Sequence, residues 1–173
     1  MTNFWLKFFA TGAFISYIPT AILRNKKNSG AGLLGTFEAF VLFLFFMPGD
    51  KLYQAMTTLG VILLAVYVSD KVKFKDDKKD NPKIVIDEIA GYFTTMFFLP
   101  HDFLVMVLAF VLFRVFDTTK LAFIKKAENF GQNIPEKTKN KFYVNGAAVV
   151  LDDVLAGVIS NLIIWCLIYL KLI

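Results

Sequence analysis

Residues 144–170 read VNGAAVVLDDVLAGVISNLIIWCLIYL. Nearly every position is apolar or small, and the run is long enough to cross the ~30 Å hydrocarbon layer of a bilayer as a helix. Two adjacent aspartates, Asp152 and Asp153, nevertheless stand inside it. An ionised carboxylate at mid-membrane costs about 3 kcal/mol even on the lenient insertion scale, so such a pair asks for a functional explanation. Further apolar stretches run from Leu33 to Met47, Leu52 to Val68, Ile84 to Leu99 and Phe103 to Phe116. Together they predict an all-α, polytopic transmembrane bundle with four or five membrane segments, forming a single domain over residues 1–173. The stretch from Phe4 to Leu23 is apolar but interrupted by Thr11, Gly12, Ser16 and Pro19. It is compatible with spanning, re-entering or lying along the surface.

Composition agrees with this reading. Hydrophobic residues make up 57% of the chain and charged residues 19%, against about 45–50% and about 25% in an ordinary soluble domain. The 20 phenylalanines and the mean hydropathy of +0.58 point the same way. One cysteine, Cys166, excludes an internal disulfide or a multi-thiolate metal site, and one histidine, His101, excludes chemistry that needs two. The net charge of +5 sits in short linkers rather than in a patch suited to nucleic acid. Arg24, Lys26 and Lys27 lie in the first linker, Lys71 to Lys83 in the second, and Lys120 to Lys141 in the third. The opposite connections, Pro48-Gly49-Asp50-Lys51 and Pro100-His101-Asp102, are tight and nearly free of Lys and Arg. The positive-inside rule then places the three long linkers in the cytoplasm.

The acids inside apolar segments are Glu38, Asp87, Glu88, Asp117, Asp152 and Asp153. Counted from the cytoplasmic helix starts, they fall about 5–12 Å deep. Asp117 reaches the same layer from a helix running the other way. Four segments thus deliver carboxylates near the inner headgroup boundary. Helix-dipole preference explains single acids in a first turn, but not adjacent pairs or a pair two turns deep. A hard cation such as Mg²⁺, bound by oxygen ligands with room for water and a phosphate oxygen, explains both. Small residues, Ala90-Gly91 and Ala156-Gly157, follow each pair by about a turn and allow close helix approach. Arg114, Asp117 and Lys120 succeed one another at i, i+3 and i+6, a spacing equally suited to an ion-pair ladder and to a phosphate subsite.

The segments Ile86-Asp87-Glu88-Ile89-Ala90-Gly91, Phe113-Arg114-Val115-Phe116-Asp117-Thr118-Thr119-Lys120 and Leu151-Asp152-Asp153-Val154-Leu155-Ala156-Gly157, with the earlier Gly35-Thr36, make the chain resemble the bacterial phosphatidylglycerophosphatase A family. The resemblance covers nearly the whole chain, and three spaced motifs are far more specific than any one. It implies a Mg²⁺-dependent, multi-pass phosphatase of the bacterial inner membrane that converts phosphatidylglycerophosphate to phosphatidylglycerol and phosphate. By motif position it assigns Asp87, Glu88, Asp117, Asp152 and Asp153 to catalysis and metal binding, and Arg114, Lys120 and Thr36 to the substrate. The chain departs from the family pattern after Lys120, where Leu121-Ala122-Phe123-Ile124 replaces a proline-rich continuation, and at Glu38, where a small residue is expected.

Other classes fit less well. A cysteine phosphatase needs Cys-x5-Arg, and a CDP-alcohol phosphotransferase needs Asp-Gly-x-x-Ala-Arg; neither string is present. The alternative is a divalent-cation transporter or channel, which wants polar residues continuing to the outer face. Thr94 to Leu99 and Ile163 to Leu170 are almost wholly apolar.

Overall fold

The computed structural model describes residues 3–22, 30–74, 81–119 and 144–173. Over these residues the protein is all-helical, without strands. The helices are α1 (Asn3–Ala10), α2 (Tyr17–Ile22), α3 (Ala31–Phe46), α4 (Lys51–Lys71), α5 (Ile86–Thr95), α6 (Phe103–Thr119) and α7 (Val144–Tyr169). By length and composition α4 and the Val149–Tyr169 part of α7 qualify as membrane spans, while α3 is apolar but shorter.

The expected span from Ile84 to Leu99 is helical only over the ten residues of α5, about 15 Å and so half the hydrocarbon thickness. Phe98 has φ 59°, in the left-handed region, and the chain turns away over Met96–Phe98. A helix that stops inside the fold leaves carbonyls without intrahelical partners. Side chains from the flanking helices meet them. Asn161 Nδ2 of α7 donates to Thr95 O and Phe97 O, both at 2.8 Å. Gln54 Nε2 of α4 donates to Met96 O at 2.8 Å, and Lys51 Nζ to Phe98 O at 2.8 Å. Gln54 and Asn161 are thus polar residues in a largely apolar region, and both act as caps.

The first apolar stretch is two short helices separated by a turn, and neither could cross a bilayer. Gly12, Ala13 and Phe14 all have positive φ. The Thr11 hydroxyl closes the turn by accepting from Phe14 N at 3.1 Å. Val85 N donates to Ala10 O at 2.8 Å, and Ser16 Oγ to Lys83 O at 2.7 Å. These bonds tie the turn to the chain entering α5.

The remaining helices alternate in direction. Both tight connections end in an aspartate that caps the next helix. Asp50 Oδ1 accepts from Tyr53 N at 2.7 Å, and Asp102 Oδ1 from Leu104 N at 2.9 Å and Val105 N at 3.2 Å. His101 lies exposed in the second of these connections, its ring 4.9 Å from Phe43. Burial and the nearby Lys51 charge hold its pKa below the usual histidine value.

α5 is the central element, and from Ile89 onward every one of its residues is buried. Its most extensive contact is with α7. A Cβ on Gly157 would lie 2.5 Å from Gly91 O and 3.0 Å from Thr94 Cβ; one on Gly91 would lie 2.9 Å from Asp153 O and run into the Phe113 ring. The backbones therefore touch where both side chains are absent. Around this crossing Phe43, Tyr92, Phe93, Met106 and Phe113 form the main core, with the Tyr92 hydroxyl donating to Met106 O at 3.1 Å.

Two substitutions test this packing by thermal unfolding in detergent. Gly157→Leu forces α7 off α5 and is expected to cost about 3 kcal/mol or more. Asn161→Leu removes the donor to two partly buried carbonyls and is expected to cost about 1–3 kcal/mol. Melting temperatures unchanged from wild type would contradict the α5–α7 arrangement.

Candidate functional site

The acidic layer forms at the near end of the α5–α7 crossing. Asp87 and Glu88 occupy the first turn of α5, where unpaired amide groups favour negative charge. Asp153 of α7 is buried at 5% exposure and faces them. One carboxylate oxygen from each of Asp87, Glu88 and Asp153 lies within 4.8 Å of the other two. Asp87 Oδ1 and Glu88 Oε2 are buried without a hydrogen-bond partner. Asp117, arriving on α6, is within hydrogen-bonding reach of Asp153, and Asp152 lies close enough to interact electrostatically with Asp87 and Asp153.

Among the described residues, one cation is built into this group. Arg114 Nη1 pairs with Asp117 Oδ2 at 2.7 Å and donates to Thr36 Oγ1 of α3 at 3.2 Å. Gly32, one turn before Thr36, closes the same side. A Cβ there would overlap the Glu88 carboxylate and lie 3.3 Å from Arg114 Nη1. Four helices therefore contribute: α3 with Gly32 and Thr36, α5 with Asp87 and Glu88, α6 with Arg114 and Asp117, and α7 with Asp152 and Asp153.

Asp87, Glu88, Arg114, Asp117, Asp153 and Thr36 come together as the sequence predicts, with Asp152 at the edge. Lys120 lies outside the described residues, as do most of the basic linker residues. Glu38 does not join the group. Its Oε2 lies against Gly12 in the α1–α2 turn and has no hydrogen-bond partner. It sits two residues beyond Thr36 on α3, and so about 200° round the helix. Gly32 carries no motif of its own and was not anticipated. The signal available for it was its i, i+4 spacing from Thr36.

Burial and mutual repulsion both work against these carboxylates carrying full charge. Two carboxylates 4.8 Å apart repel by about 3 kcal/mol at an effective dielectric of about 20, and Arg114 offsets only part of the total. Clusters of this kind persist where protons or a cation share the charge. The donors are all oxygen, a set suited to a hard divalent ion, with Asp87, Glu88 and Asp153 the residues able to hold it. The neighbouring guanidinium and hydroxyl suit phosphate oxygens.

Fold and site together define a class: an all-helical protein whose carboxylates, arginine and hydroxyl are gathered at one end for phosphate chemistry. The chain belongs to the Phosphatidylglycerophosphatase A family, whose family model matches residues 8–168, and it is a phosphatase of that family. It is 30% identical over 132 residues to the Escherichia coli Phosphatidylglycerophosphatase A, covering 75% of this chain and 69% of that protein. The Haemophilus influenzae Phosphatidylglycerophosphatase A is 27% identical over 151 residues, covering 87% and 83%. A Bacteroides thetaiotaomicron protein provisionally named a phosphatidylinositol-3-phosphatase is 28% identical over 138 residues, covering 78% and 79%. No solved structure matches the chain.

Neutralising one member of the cluster separates stability from activity. In chelator, Asp153→Asn is expected to raise the melting temperature by several degrees, because it relieves repulsion without removing volume, while lowering turnover about a hundredfold or more. A lowered melting temperature would show that the three carboxylates do not repel one another as the geometry requires.

Proposed function

We propose that the protein is a multi-pass membrane enzyme that removes the terminal phosphate of phosphatidylglycerophosphate with Mg²⁺ at the cytoplasmic face. The observation that carries this reading is the convergence of the three motif segments. Asp87 and Glu88, Arg114 and Asp117, and Asp152 and Asp153 are far apart in sequence and meet at one depth, beside Thr36.

Four or five membrane crossings are supported by the outer surface. Leu52, Met56, Leu59 and Leu63 of α4 are exposed at helical spacing, as are Leu151, Val158, Leu162 and Trp165 of α7. Phe45 of α3 and Leu104 and Val111 of α6 face outward in the same way. Hydrocarbon is the medium that tolerates so much apolar surface. On this reading α5 is a half-length helix within the bundle and its neighbours do the crossing. The cytoplasmic assignment rests on the basic linkers, which all leave from the end of the bundle that holds the acids.

In the proposed mechanism Arg114 takes the phosphate, exchanging part of its pairing with Asp117 for phosphate oxygens, while the Thr36 hydroxyl orients the guanidinium. By motif position Lys120 would supply a second positive charge. Asp87, Glu88 and Asp153, with Asp152 at the edge, would hold Mg²⁺. The ion, when bound, supplies polarisation of a phosphoryl oxygen and neutralisation of charge. Asp117 and Asp153, in mutual contact, are placed to orient the attacking water and accept its proton. Exclusion of bulk water by the surrounding core strengthens each of these interactions. The alternative of cation transport gains nothing from the comparisons, which are with phosphatases.

Purified protein given phosphatidylglycerophosphate should release inorganic phosphate with Mg²⁺ and not with chelator. Asp87→Asn should reduce release at least about a hundredfold in a folded sample. Mg²⁺ should also raise the wild-type melting temperature more than that of Asp87→Asn. Undiminished release in chelator would remove the metal from the reading. Faster release from phosphatidylinositol 3-phosphate would replace the substrate.

A further inference from the structure

A cleft of about 220 Å³ opens on the side of α3 away from Thr36, lined by Ile15, Leu34, Phe37, Glu38, Val41 and Leu42. We propose that it seats one acyl chain of the phospholipid substrate. The inference rests on the lipid phosphatase reading above and extends it to how the lipid, beyond its phosphate, is held.

The lining follows one stripe of α3, from Leu34 to Leu42, a rise of about 12 Å. It begins at the depth of Thr36 and runs toward the far end of the helix, the course of a chain descending from a headgroup. Ile15, from the α1–α2 turn, forms the opposite wall. Glu38 adds its hydrocarbon stem rather than its charge, because its Oε2 is turned under the turn against Gly12. The cleft is therefore a slot for hydrocarbon. Its mouth is bordered by Phe37, 54% exposed, which continues the outward-facing apolar surface.

Slot and site lie on opposite faces of α3 near its start. Gly30 and Gly32 leave the start of α3 without side chains, and Gly32 lies directly against Glu88 and Arg114. In phosphatidylglycerophosphate a glycerol and a second phosphate separate the acylated end from the terminal phosphate. A headgroup of that form can pass over the glycine rim of a helix about 10 Å wide. Its terminal phosphate then lies at Arg114 while a chain stays on the other face. Glu38, which departs from the family pattern, packs against the turn that carries Ile15 and lines the slot.

Val41→Trp fills the slot without touching the acidic cluster. With the purified full-length chain in detergent, phosphate release is followed from dioleoyl phosphatidylglycerophosphate and from the deacylated headgroup, glycerophosphoglycerophosphate. The expected result is a rise of about tenfold in KM for the dioleoyl substrate, the worth of about two buried methylenes, with kcat within about twofold. Hydrolysis of the deacylated headgroup should be unchanged. Ile15→Ala, which removes one wall, should shift the same KM in the same direction and serves if Val41→Trp does not fold. Equal losses on both substrates, or no loss on either, would overturn the proposal. So would a change in oligomeric state, which would make the slot a contact between copies. Wild-type protein that releases phosphate from neither substrate would defeat the phosphatase reading itself, whereas active variants blind to the chain defeat only the slot.

Discussion

The contact on which the structure depends is the passage of α5 across α7 at Gly91 and Gly157. With no side chain on either residue, the helix backbones meet directly, and the Asp153 carbonyl lies beside Gly91. A turn earlier on α5, the same closeness brings Asp87 and Glu88 up against the Asp153 carboxylate. Larger residues at the crossing would widen the separation and spread the acidic oxygens beyond the reach of one ion or one phosphate. Packing and the geometry of the candidate site therefore share a cause: the small residues that let the helices approach closely also bring the acidic side chains together.

That closeness carries an opposing electrostatic term. Gathering several carboxylates in a poorly solvated pocket works against folding, and the fold offsets it in identifiable ways. The first turn of α5 contributes amide dipoles, Arg114 contributes a full positive charge, and the surrounding aromatic core keeps the helices together. At the other end of α5 the problem is reversed, since exposed carbonyls need donors. Gln54, Lys51 and Asn161 supply them. A helix of only ten residues can occupy the centre of this bundle because both of its ends are served by neighbours.

Much of this was legible from residue order. Apolar runs separated by short Pro-Gly-Asp and Pro-His-Asp connections imply antiparallel helices, and that is what forms. The acidic pairs, each followed by Ala-Gly, mark both the site residues and the place where helices approach, and the structure joins them. The length of α5 was not legible. Ile84 to Leu99 is mostly apolar after Asp87 and Glu88, and hydropathy does not distinguish a span from a buried half-helix. The distinction lies in whether partners exist for the carbonyls at its end, and those partners are far away in sequence. The role of Glu38 was not legible for a related reason. Its depth matches the other acids, but depth along a helix does not specify direction around it, and Glu38 points at the α1–α2 turn.

By itself the sequence determined that the chain is helical and apolar, which acidic and basic residues are candidates for the site, and the family that its motifs resemble. These follow from composition, periodicity and three spaced motifs, all local properties. Only the tertiary structure decided which of the acids face one another, that Thr36 and Gly32 of α3 close the pocket around Arg114, and that α5 ends partway through the bundle. Those outcomes depend on the rotation of each helix about its axis and on contacts between residues distant along the chain. Such quantities arise only when side chains compete for the same space.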